Sequence, residues 1–521
     1  MSESREPVLD PMPGSLGMPP WEVGTLPDAP PWSLRNWTSM IGPGLLTAGA
    51  AIGGGEWLMG PVNTGRYGGG ILWVTTVSIL AQVLYNIEIS RYTLYTGEPI
   101  MSGKFRTALL APLGWFLIYM ILDAGSLIPY QAAGSAVPLS ALFKGSMPTP
   151  EEIKASPGFL IAVGCAIYVL SAVPLVFAGK IYSFIKGLMT FKVVVVFACL
   201  IFLTLFYVRP ATWWEVFSGF VRFGNVPAAE GGLANIPASL FGGQGFPKVD
   251  AVAFPALAAY AAIAGIGGMK NTMISNYTRE QGWGMGGQIG AIPSLIGGRN
   301  LELSHVGKVF RVSEESLPRW RRWMTHVTRE QVAIWGVGAM IGVALPAMLA
   351  IEYLKGHPIS DDRWQMAGFT AQGIKTAVGG GLGTFYWYML MFCSVLILVP
   401  NTVSDTDSTV RRWVDLAWTA SARLRTWSPK SIKQLYFWGM VAYVIAGLLI
   451  MTLLPEPKKL IAVYGCIANF ALGFSCFHVL VVNLELLPAP LRPGWFTRIG
   501  MSAAGTYFLL LSAVTLYFTL R

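Results

Sequence analysis

Long uncharged stretches recur along the chain, separated by short polar connections. Eleven of them reach the roughly 20 apolar residues that cross a bilayer core as a helix. We number them spans 1 to 11, and they lie at about 40–66, 70–95, 108–143, 158–178, 182–208, 251–277, 331–354, 381–410, 433–454, 459–484 and 496–520. Span 3 is long enough to hold one strongly tilted helix and an external turn. The pattern predicts an all-α, multi-pass integral membrane protein.

The connections between the spans differ in basic charge. Connections 279–329 and 411–433 are rich in Arg and Lys, whereas 144–157 and 352–376 are sparser or balanced in charge. Because basic loops tend to stay in the cytoplasm, we expect the N-terminus inside and the C-terminus outside, in the cell (inner) membrane. Residues 1–36 are polar and proline-rich and lack the apolar core of a signal peptide. We interpret them as a mobile cytoplasmic tail before a transmembrane domain at 37–521.

Composition supports a membrane protein. Apolar residues make up 53% of the chain and charged residues 12%, whereas a soluble domain carries about 25% charged residues. The net charge of +10 is spread over the connections, so we expect no nucleic-acid partner. The five cysteines lie in apolar spans without metal-ligand spacing, which predicts neither disulfides nor a bound cofactor. No catalytic motif is recognisable, and we expect no enzymatic activity.

Two spans contain glycine runs that would interrupt a straight helix. Consecutive glycines each cost about 1 kcal/mol in a helix interior. Each run ends on an ionisable residue at membrane depth, where a charge costs at least about 2.5 kcal/mol. Unwound backbone persists at such depth mainly where it lines a site. The candidate substrate-binding residues are Ala51, Ile52, Gly53, Gly55 and Glu56 in span 1 and Ile266, Gly267, Met269, Lys270 and Asn271 in span 6.

The two runs occupy corresponding positions, because spans 1 and 6 each open a group of five. We interpret spans 1–5 (about 40–208) and spans 6–10 (about 251–484) as two inverted repeats and span 11 (about 496–520) as an extra helix. Paired breaks at corresponding positions mark the binding site of a secondary-active transporter. A channel is the less favoured alternative, and close helix packing without a site is the other.

Residues around the first break resemble the opening of the Nramp-type divalent metal ion transporters. Ile41-Gly42-Pro43-Gly44-Leu45-Leu46 precedes the break, while Leu72-Trp73-Val74 and Arg91-Tyr92-Thr93-Leu94-Tyr95-Thr96-Gly97 lie on span 2. The resemblance is to a remote branch and is strongest over the first two spans. It implies the LeuT-type fold, with helices 1 and 6 unwound in the middle. It also implies proton-coupled symport of a metal ion such as Mn²⁺, Fe²⁺ or Mg²⁺.

The chain departs from this family where the metal would bind. The family's first-helix motif Asp-Pro-Gly-Asn is replaced by Gly53-Gly54-Gly55-Glu56, so the aspartate that grips metal is missing. The sixth-helix motif Met-Pro-His-Asn falls at about Gly268-Met269-Lys270-Asn271, and Lys270 has no counterpart. On the third helix, acidic proton-path residues are replaced by Pro129-Tyr130-Gln131.

The residues leave the substrate open between a divalent metal ion and an organic solute. Glu56, Met269 and Asn271 would be the metal ligands, but the positive charge of Lys270 opposes a bound cation. Alternatively, Lys270 pairs with Glu56 in a site for a small zwitterion or organic anion. A third interpretation is a purely structural salt bridge between the two half-helices. The sequence contains no signal for the oligomeric state.

Other polar residues at membrane depth are candidates for moving a coupling proton or for lining the entrance. In relatives of this fold, a fifth-helix lysine can stand where another member binds sodium. Lys192 either has that role or extends to the cytoplasmic surface, and His478 is either a proton relay or a packing residue. The proton-coupling candidates are Lys192, Asp405 and His478, and the candidates for an external vestibule are Asp123, Tyr130 and Gln131.

Overall fold

The structure is a computed structural model that describes residues 18–31, 53–177, 181–289, 307–356, 364–427 and 429–520. Most of these residues are helical. The α-helices are Gly60–Tyr67, Trp73–Thr96, Ile100–Phe105, Pro112–Leu122, Tyr130–Lys144, Pro150–Ala155, Pro157–Phe177, Ile181–Tyr207, Pro210–Gly219, Ile236–Phe241, Phe254–Ile263, Met273–Glu280, Ser316–Glu330, Val337–Leu354, Phe369–Val378, Gly380–Ala420, Ala422–Arg425, Pro429–Leu453, Pro457–Leu486 and Trp495–Leu520.

Shorter elements connect or interrupt these helices. The 3-10 turns are Gly69–Ile71, Ala124–Leu127, Gly268–Thr272, Gly284–Gln288, Gln365–Gly368 and Ala489–Leu491, and the π-helical turns are Gly55–Met59 and Gln331–Gly336. Strand Glu22–Gly24 pairs in parallel with Lys308–Phe310. Strand Asn225–Pro227 pairs antiparallel with Leu233–Asn235 in the connection between spans 5 and 6.

The predicted spans correspond to helical segments wherever the structure describes them. In the described part of the chain, eight helices are long and apolar enough to cross a membrane, and a bent pair in span 3 makes up to nine. The eight belong to spans 2, 4, 5, 7, 8, 9, 10 and 11. In the described part of span 1, the π-helical turn Gly55–Met59 runs directly into the helix Gly60–Tyr67, whereas span 6 is divided into shorter helical pieces.

Span 3 is bent, and the prediction of one tilted helix is wrong. Its two halves, Pro112–Leu122 and Ala124–Lys144, meet at 48°. Pro129 falls between the turn at Ala124–Leu127 and the helix that begins at Tyr130. The 48° bend itself falls at Asp123, where the first half ends. Pro129 is the N-cap of the following helix, where its missing N–H costs no helical hydrogen bond. The bend brings Tyr130 and Gln131 to the start of a new helix.

Small residues allow span 10 to pack closely on both span 6 and span 11. A Cβ added to Gly465 would lie 2.7 Å from Ala259 Cα in the first half of span 6. A Cβ added to Gly473 would lie 2.9 Å from the carbonyl oxygen of Gly505 in span 11. Close approach at glycine is a common way for membrane helices to associate. Span 10 therefore holds the first half of span 6 in place beside the break.

Residues 18–31 are packed against the connection before span 7. Trp21 and Leu26 are 2% and 1% exposed. The Trp21 ring meets the Tyr95 ring edge-on at 5.9 Å, and Trp323 Nε1 donates a 2.8 Å hydrogen bond to the carbonyl of Pro27. The prediction of a mobile tail is wrong for these residues, because apolar burial and backbone pairing offset the entropy lost on ordering.

Candidate functional site

The break in span 6 is four residues of non-helical backbone. The helix Phe254–Ile263 ends, residues 264–267 are not helical, and a 3-10 turn begins at Gly268. Gly265 and Gly267 have φ values of 95° and 71°, a region that residues with a Cβ rarely adopt. The backbone N–H groups of these residues therefore lack helical partners and need others.

Glu56 joins the glycine run of span 1 to the break of span 6. Its Oε1 accepts a 3.0 Å hydrogen bond from the Gly265 N–H, and its Oε2 accepts a 3.1 Å hydrogen bond from the Gly53 N–H. The side chain is 1% exposed. The approach is close, because a Cβ on Gly55 would lie 2.9 Å from Ile263. Ala51 and Ile52 lie outside the described residues.

Gln82 of span 2 satisfies the rest of the span 6 break. Its Oε1 accepts hydrogen bonds from the N–H groups of Ile266 and Gly267 at 3.3 and 3.0 Å. Its Nε2 donates a 2.6 Å hydrogen bond to the carbonyl of Ala264. Sequence reasoning missed Gln82, although an amide within an otherwise apolar span was a usable signal. Three consecutive amides of the break thus meet side-chain oxygens from spans 1 and 2.

Lys270 pairs with Asp405, and the predicted pairing with Glu56 is wrong. The Lys270 Nζ lies 2.7 Å from Asp405 Oδ2, which also accepts a 2.6 Å hydrogen bond from Gln131 Nε2. Both oxygens of Glu56 are already bound to backbone amides, so span 8 provides the counter-ion of the lysine. Asp405, predicted as a proton-coupling residue, therefore lies beside the span 6 break.

Two tyrosines flank this ion pair. The Lys270 Nζ lies 5.1 Å from the ring centroid of Tyr464 and 5.8 Å from that of Tyr130. The two rings are 4.9 Å apart. A Cβ on Gly54 would overlap the Tyr130 ring, so glycine at this point lets the ring reach the span 1 break. Tyr130 and Gln131 belong with the substrate-binding candidates.

Asp123, the third vestibule candidate, is not in contact with Tyr130 or Gln131. It is 2% exposed and accepts hydrogen bonds of 2.9 Å from Arg412 and 2.6 Å from Trp413 Nε1. Asp123 is thus held in a buried ion pair between span 3 and span 8.

Lys192 is completely buried, so the alternative that it extends to the surface is wrong. Its Nζ donates a 2.6 Å hydrogen bond to Asn401 Oδ1 on span 8. Asn401 precedes Asp405 by one helical turn, and the two side chains bind one lysine each. Span 8 therefore provides acceptors for both lysines.

The three predicted metal ligands each have other partners among the described residues. Asn271 Nδ2 donates to Gln82 Oε1 at 3.2 Å, and the buried Asn271 Oδ1 has no hydrogen-bond partner among the described residues. Met269 packs in an apolar cluster with Trp115 and Tyr119. Within the described ranges, no group of three His, Cys, Asp or Glu side chains is placed to hold a metal.

His478 is bound to two hydroxyls and not to the backbone of the span 6 break. Its Nδ1 is 2.6 Å from the Tyr119 hydroxyl, and its Nε2 is 2.9 Å from the Thr107 hydroxyl. Its ring centroid is 4.1 Å from that of Trp115. The proton-coupling candidates therefore occupy two places, with Lys192 and Asp405 beside span 8 and His478 in a separate polar cluster.

Similar solved structures establish the fold. A histidine-to-alanine mutant of the Eremococcus coleocola manganese transporter aligns with a TM-score of 0.59 and 12% identity, covering 93% of this chain and 88% of that chain. The same transporter in complex with an aromatic bis-isothiourea substituted compound gives 0.57 and 12%, with the same coverage. No protein-family model matches the chain, and no curated protein matches it. The chain has the LeuT-type fold of a multi-pass membrane protein, as the resemblance implied.

Proposed function

We propose that the chain is a secondary-active transporter whose substrate site lies between the breaks of spans 1 and 6. The observation that carries this proposal is the Glu56 carboxylate, which binds the Gly53 amide in the glycine run of span 1 and the Gly265 amide in the break of span 6. Paired breaks of this kind form the substrate site in inverted-repeat transporters. Burying the ionisable side chains of Glu56, Lys192 and Lys270 around them is costly and is typical of functional positions in a membrane protein.

In the absence of substrate, side-chain oxygens at the break would occupy the hydrogen-bonding positions that a substrate takes when it binds. Glu56 and Gln82 offer oxygens to the Gly265, Ile266 and Gly267 amides. A substrate carboxylate or carbonyl could replace either oxygen at little net cost, because one hydrogen bond is exchanged for another. Exchange at Glu56 would also release the span 1 break from the span 6 break. Substrate binding would thereby be coupled directly to relative movement of the two repeats, 40–208 and 251–484.

The charges around the site favour a small zwitterion or organic anion. Glu56 and Asp405 provide two carboxylates, and Lys192 and Lys270 provide two amines, so their formal charges cancel. A solute with an ammonium and a carboxylate can exchange ionic partners with such a site without leaving a charge unpaired. A divalent cation would instead approach two fixed amines, and like charges repel strongly in a low dielectric.

A divalent metal ion is the second candidate substrate, and the fold of the manganese transporter favours it. Glu56 and the unpartnered Asn271 Oδ1 would be oxygen ligands, and Met269 would have to leave its apolar cluster to join them. In either case we infer that a proton is the coupling ion, exchanged through Lys192, Asp405 or His478. We also infer a cytoplasmic N-terminus in the cell membrane.

The experiment is uptake into proteoliposomes with an imposed proton gradient. The probes are Mn²⁺, Mg²⁺, radiolabelled neutral amino acids and small carboxylic acids, each tested with wild type, Glu56→Gln and the exposed control Glu485→Gln. We expect saturable, gradient-dependent uptake of an organic probe, reduced about a hundredfold in Glu56→Gln and unchanged in Glu485→Gln.

Three outcomes would contradict parts of the proposal. Uptake of Mn²⁺ alone, lost in Glu56→Gln, would establish the metal as the substrate. Flux that does not saturate and ignores the gradient would indicate a channel. Full activity of Glu56→Gln would remove the site from the two breaks.

A further inference from the structure

A second buried cluster of polar groups lies beside the candidate site, around Lys104. This lysine is on the short helix Ile100–Phe105, in the connection between spans 2 and 3. Although connections usually face water, Lys104 is 0% exposed. Its Nζ donates a 2.5 Å hydrogen bond to Ser475 Oγ on span 10 and lies 4.4 Å from the ring centroid of Tyr119.

No carboxylate among the described residues forms an ion pair with Lys104. The charged and titratable groups that face it come from four elements. They are Tyr85 of span 2, Tyr119 of span 3, Cys476 and His478 of span 10, and Arg412 of span 8. Arg412 is itself bound to Asp123. Lys104 is thus a buried amine whose contacts are hydroxyls and an aromatic ring.

This environment allows the amine to exist with or without its proton. Burial lowers the pKa of Lys104 to about 7, and the nearby Arg412 charge acts in the same direction. The hydroxyl of Ser475 can accept from an ammonium or donate to a neutral amine, so the contact is compatible with both forms. A lysine in such a setting is a chemically competent proton carrier.

The cluster also contains a histidine of span 10, His478, which is hydrogen-bonded to residues near Lys104. Thr107, three residues after Lys104, donates to the Lys104 carbonyl at 2.8 Å and contacts His478 Nε2 at 2.9 Å. His478 Nδ1 is 2.6 Å from the hydroxyl of Tyr119, whose ring lies beneath the Lys104 amine. The imidazole therefore links the hydroxyls of Thr107 and Tyr119 beside the Lys104 amine, and an imidazole in such a chain can pass a proton on.

The cluster is also in contact with the span 6 break. Met269, the neighbour of Lys270 in the 3-10 turn after the break, packs in one apolar cluster with Met101, Phe105 and Tyr119. When Lys104 gains or loses its charge, the cost of keeping the amine away from water changes, and the packing of the neighbouring apolar cluster has to adjust. The backbone next to Lys270 is the part of the candidate site that such a change would displace.

We propose that Lys104 is the site that binds and releases the coupling proton, with His478 as its relay and Met269 as its contact with the span 6 break. In one half of the cycle the ammonium transfers its proton to the imidazole or to water and becomes a neutral amine. In the other half the amine takes up a proton. This inference rests on the proposed function and assigns its coupling residue.

The test compares proton coupling with substrate exchange in proteoliposomes that contain a trapped pH-sensitive dye. The variants are Lys104→Gln, Lys104→Arg and His478→Gln, and the control is Lys144→Gln, whose side chain is 49% exposed. The probes are the radiolabelled neutral amino acids, carboxylic acids and Mn²⁺ named above. Exchange at equal pH needs no net proton movement, whereas accumulation driven by a pH gradient does.

We expect Lys104→Gln to retain exchange and to lose gradient-driven accumulation and the dye response by about tenfold or more. Lys104→Arg should behave in the same way, because a guanidinium does not release its proton. His478→Gln should slow proton movement while leaving exchange intact, and Lys144→Gln should match wild type. In wild type, gradient-driven uptake should change with a midpoint near pH 7.

Several results would overturn the inference. Full proton coupling in Lys104→Gln would overturn it. Substrate exchange by wild type without any proton movement would also overturn it, although the proposed transporter function would then remain supported. A chloride requirement that disappears in Lys104→Gln, with proton movement unchanged, would make the cluster an anion site instead. Absence of flux for every probe in wild type would refute the proposed function itself. If Lys104→Gln does not fold, proton titration of purified wild type and Lys104→Met decides, with about one extra proton near pH 7 expected in wild type.

Discussion

Gly267 is the position at which the span 6 break is least able to accept a side chain. Its φ is 71°, and a Cβ there would overlap the carbonyl oxygen of Ala262 and lie 3.0 Å from that carbonyl carbon. The neighbouring Gly268 has a similar φ of 60°, but its Cβ would lie 3.3 Å from the nearest atom, Ala468 Cβ. Comparing Gly267→Ala with Gly268→Ala therefore separates the steric overlap from the backbone strain that both variants share.

The magnitudes differ enough to be measured. A residue with a Cβ pays about 1–3 kcal/mol to hold a sparsely populated positive-φ backbone, and this type of cost applies to both variants. The overlap with Ala262 adds a cost of the size found for overpacked cores, about 1–3 kcal/mol, to Gly267→Ala alone. To relieve it, the backbone must shift, and the Gly265 and Ile266 amides then move away from Glu56 and Gln82.

The assay is thermal unfolding in detergent together with substrate exchange in liposomes. We expect Gly267→Ala to unfold at a clearly lower temperature than Gly268→Ala and to lose exchange, while Gly268→Ala retains part of it. Equal stability and equal exchange in the two variants would refute the geometry of the break.

Other predictions concern charges and the N-terminal segment. Asp405→Asn should leave the buried Lys270 without its counter-ion and lower uptake and thermal stability; restoration by a second change, Lys270→Gln, is the check. Lys192→Met should lower uptake by removing the hydrogen bond to Asn401, while gradient dependence, measured with the trapped dye, should remain because Lys104 carries the proton. Trp21→Ala should remove a buried side chain worth about 3–5 kcal/mol and expose residues 18–31 to limited proteolysis, without loss of the membrane fold.

The hydrophobic pattern predicted most of the fold, because a bilayer requires long apolar helices and because glycine runs at corresponding positions are rare by chance. The described helices cover the predicted spans, and the LeuT-type fold is confirmed by the solved structures. The break at Gly265–Gly267 is non-helical as expected. The prediction for span 3 failed because length alone does not reveal that one helix ends at Leu122 and another begins at Tyr130.

The side-chain pairings within the site could not be predicted from the sequence. Lys270 and Asp405 are 135 residues apart, and their pairing depends on how span 8 packs beside the break. The pairing of Glu56 with Lys270 was suggested only by their matching positions in the two glycine runs. The sequence did not reveal that backbone amides would bind both oxygens of Glu56. Gln82 was missed because one uncharged amide barely changes the hydropathy of span 2.

Lys104 shows a further limit of hydropathy patterns, since its depth is set by a connection that packs inward. Two basic residues of that connection, Lys104 and Arg106, are both 0% exposed. Arg106 is neutralised by Glu98, with Nε to Oε2 at 2.9 Å, whereas Lys104 meets hydroxyls and a ring. A guanidinium stays charged in proteins and therefore needs its carboxylate, but an amine can lose its charge. The difference in partners thus follows the difference in chemistry, and it is the reason to look for proton exchange at Lys104 and structural support at Arg106.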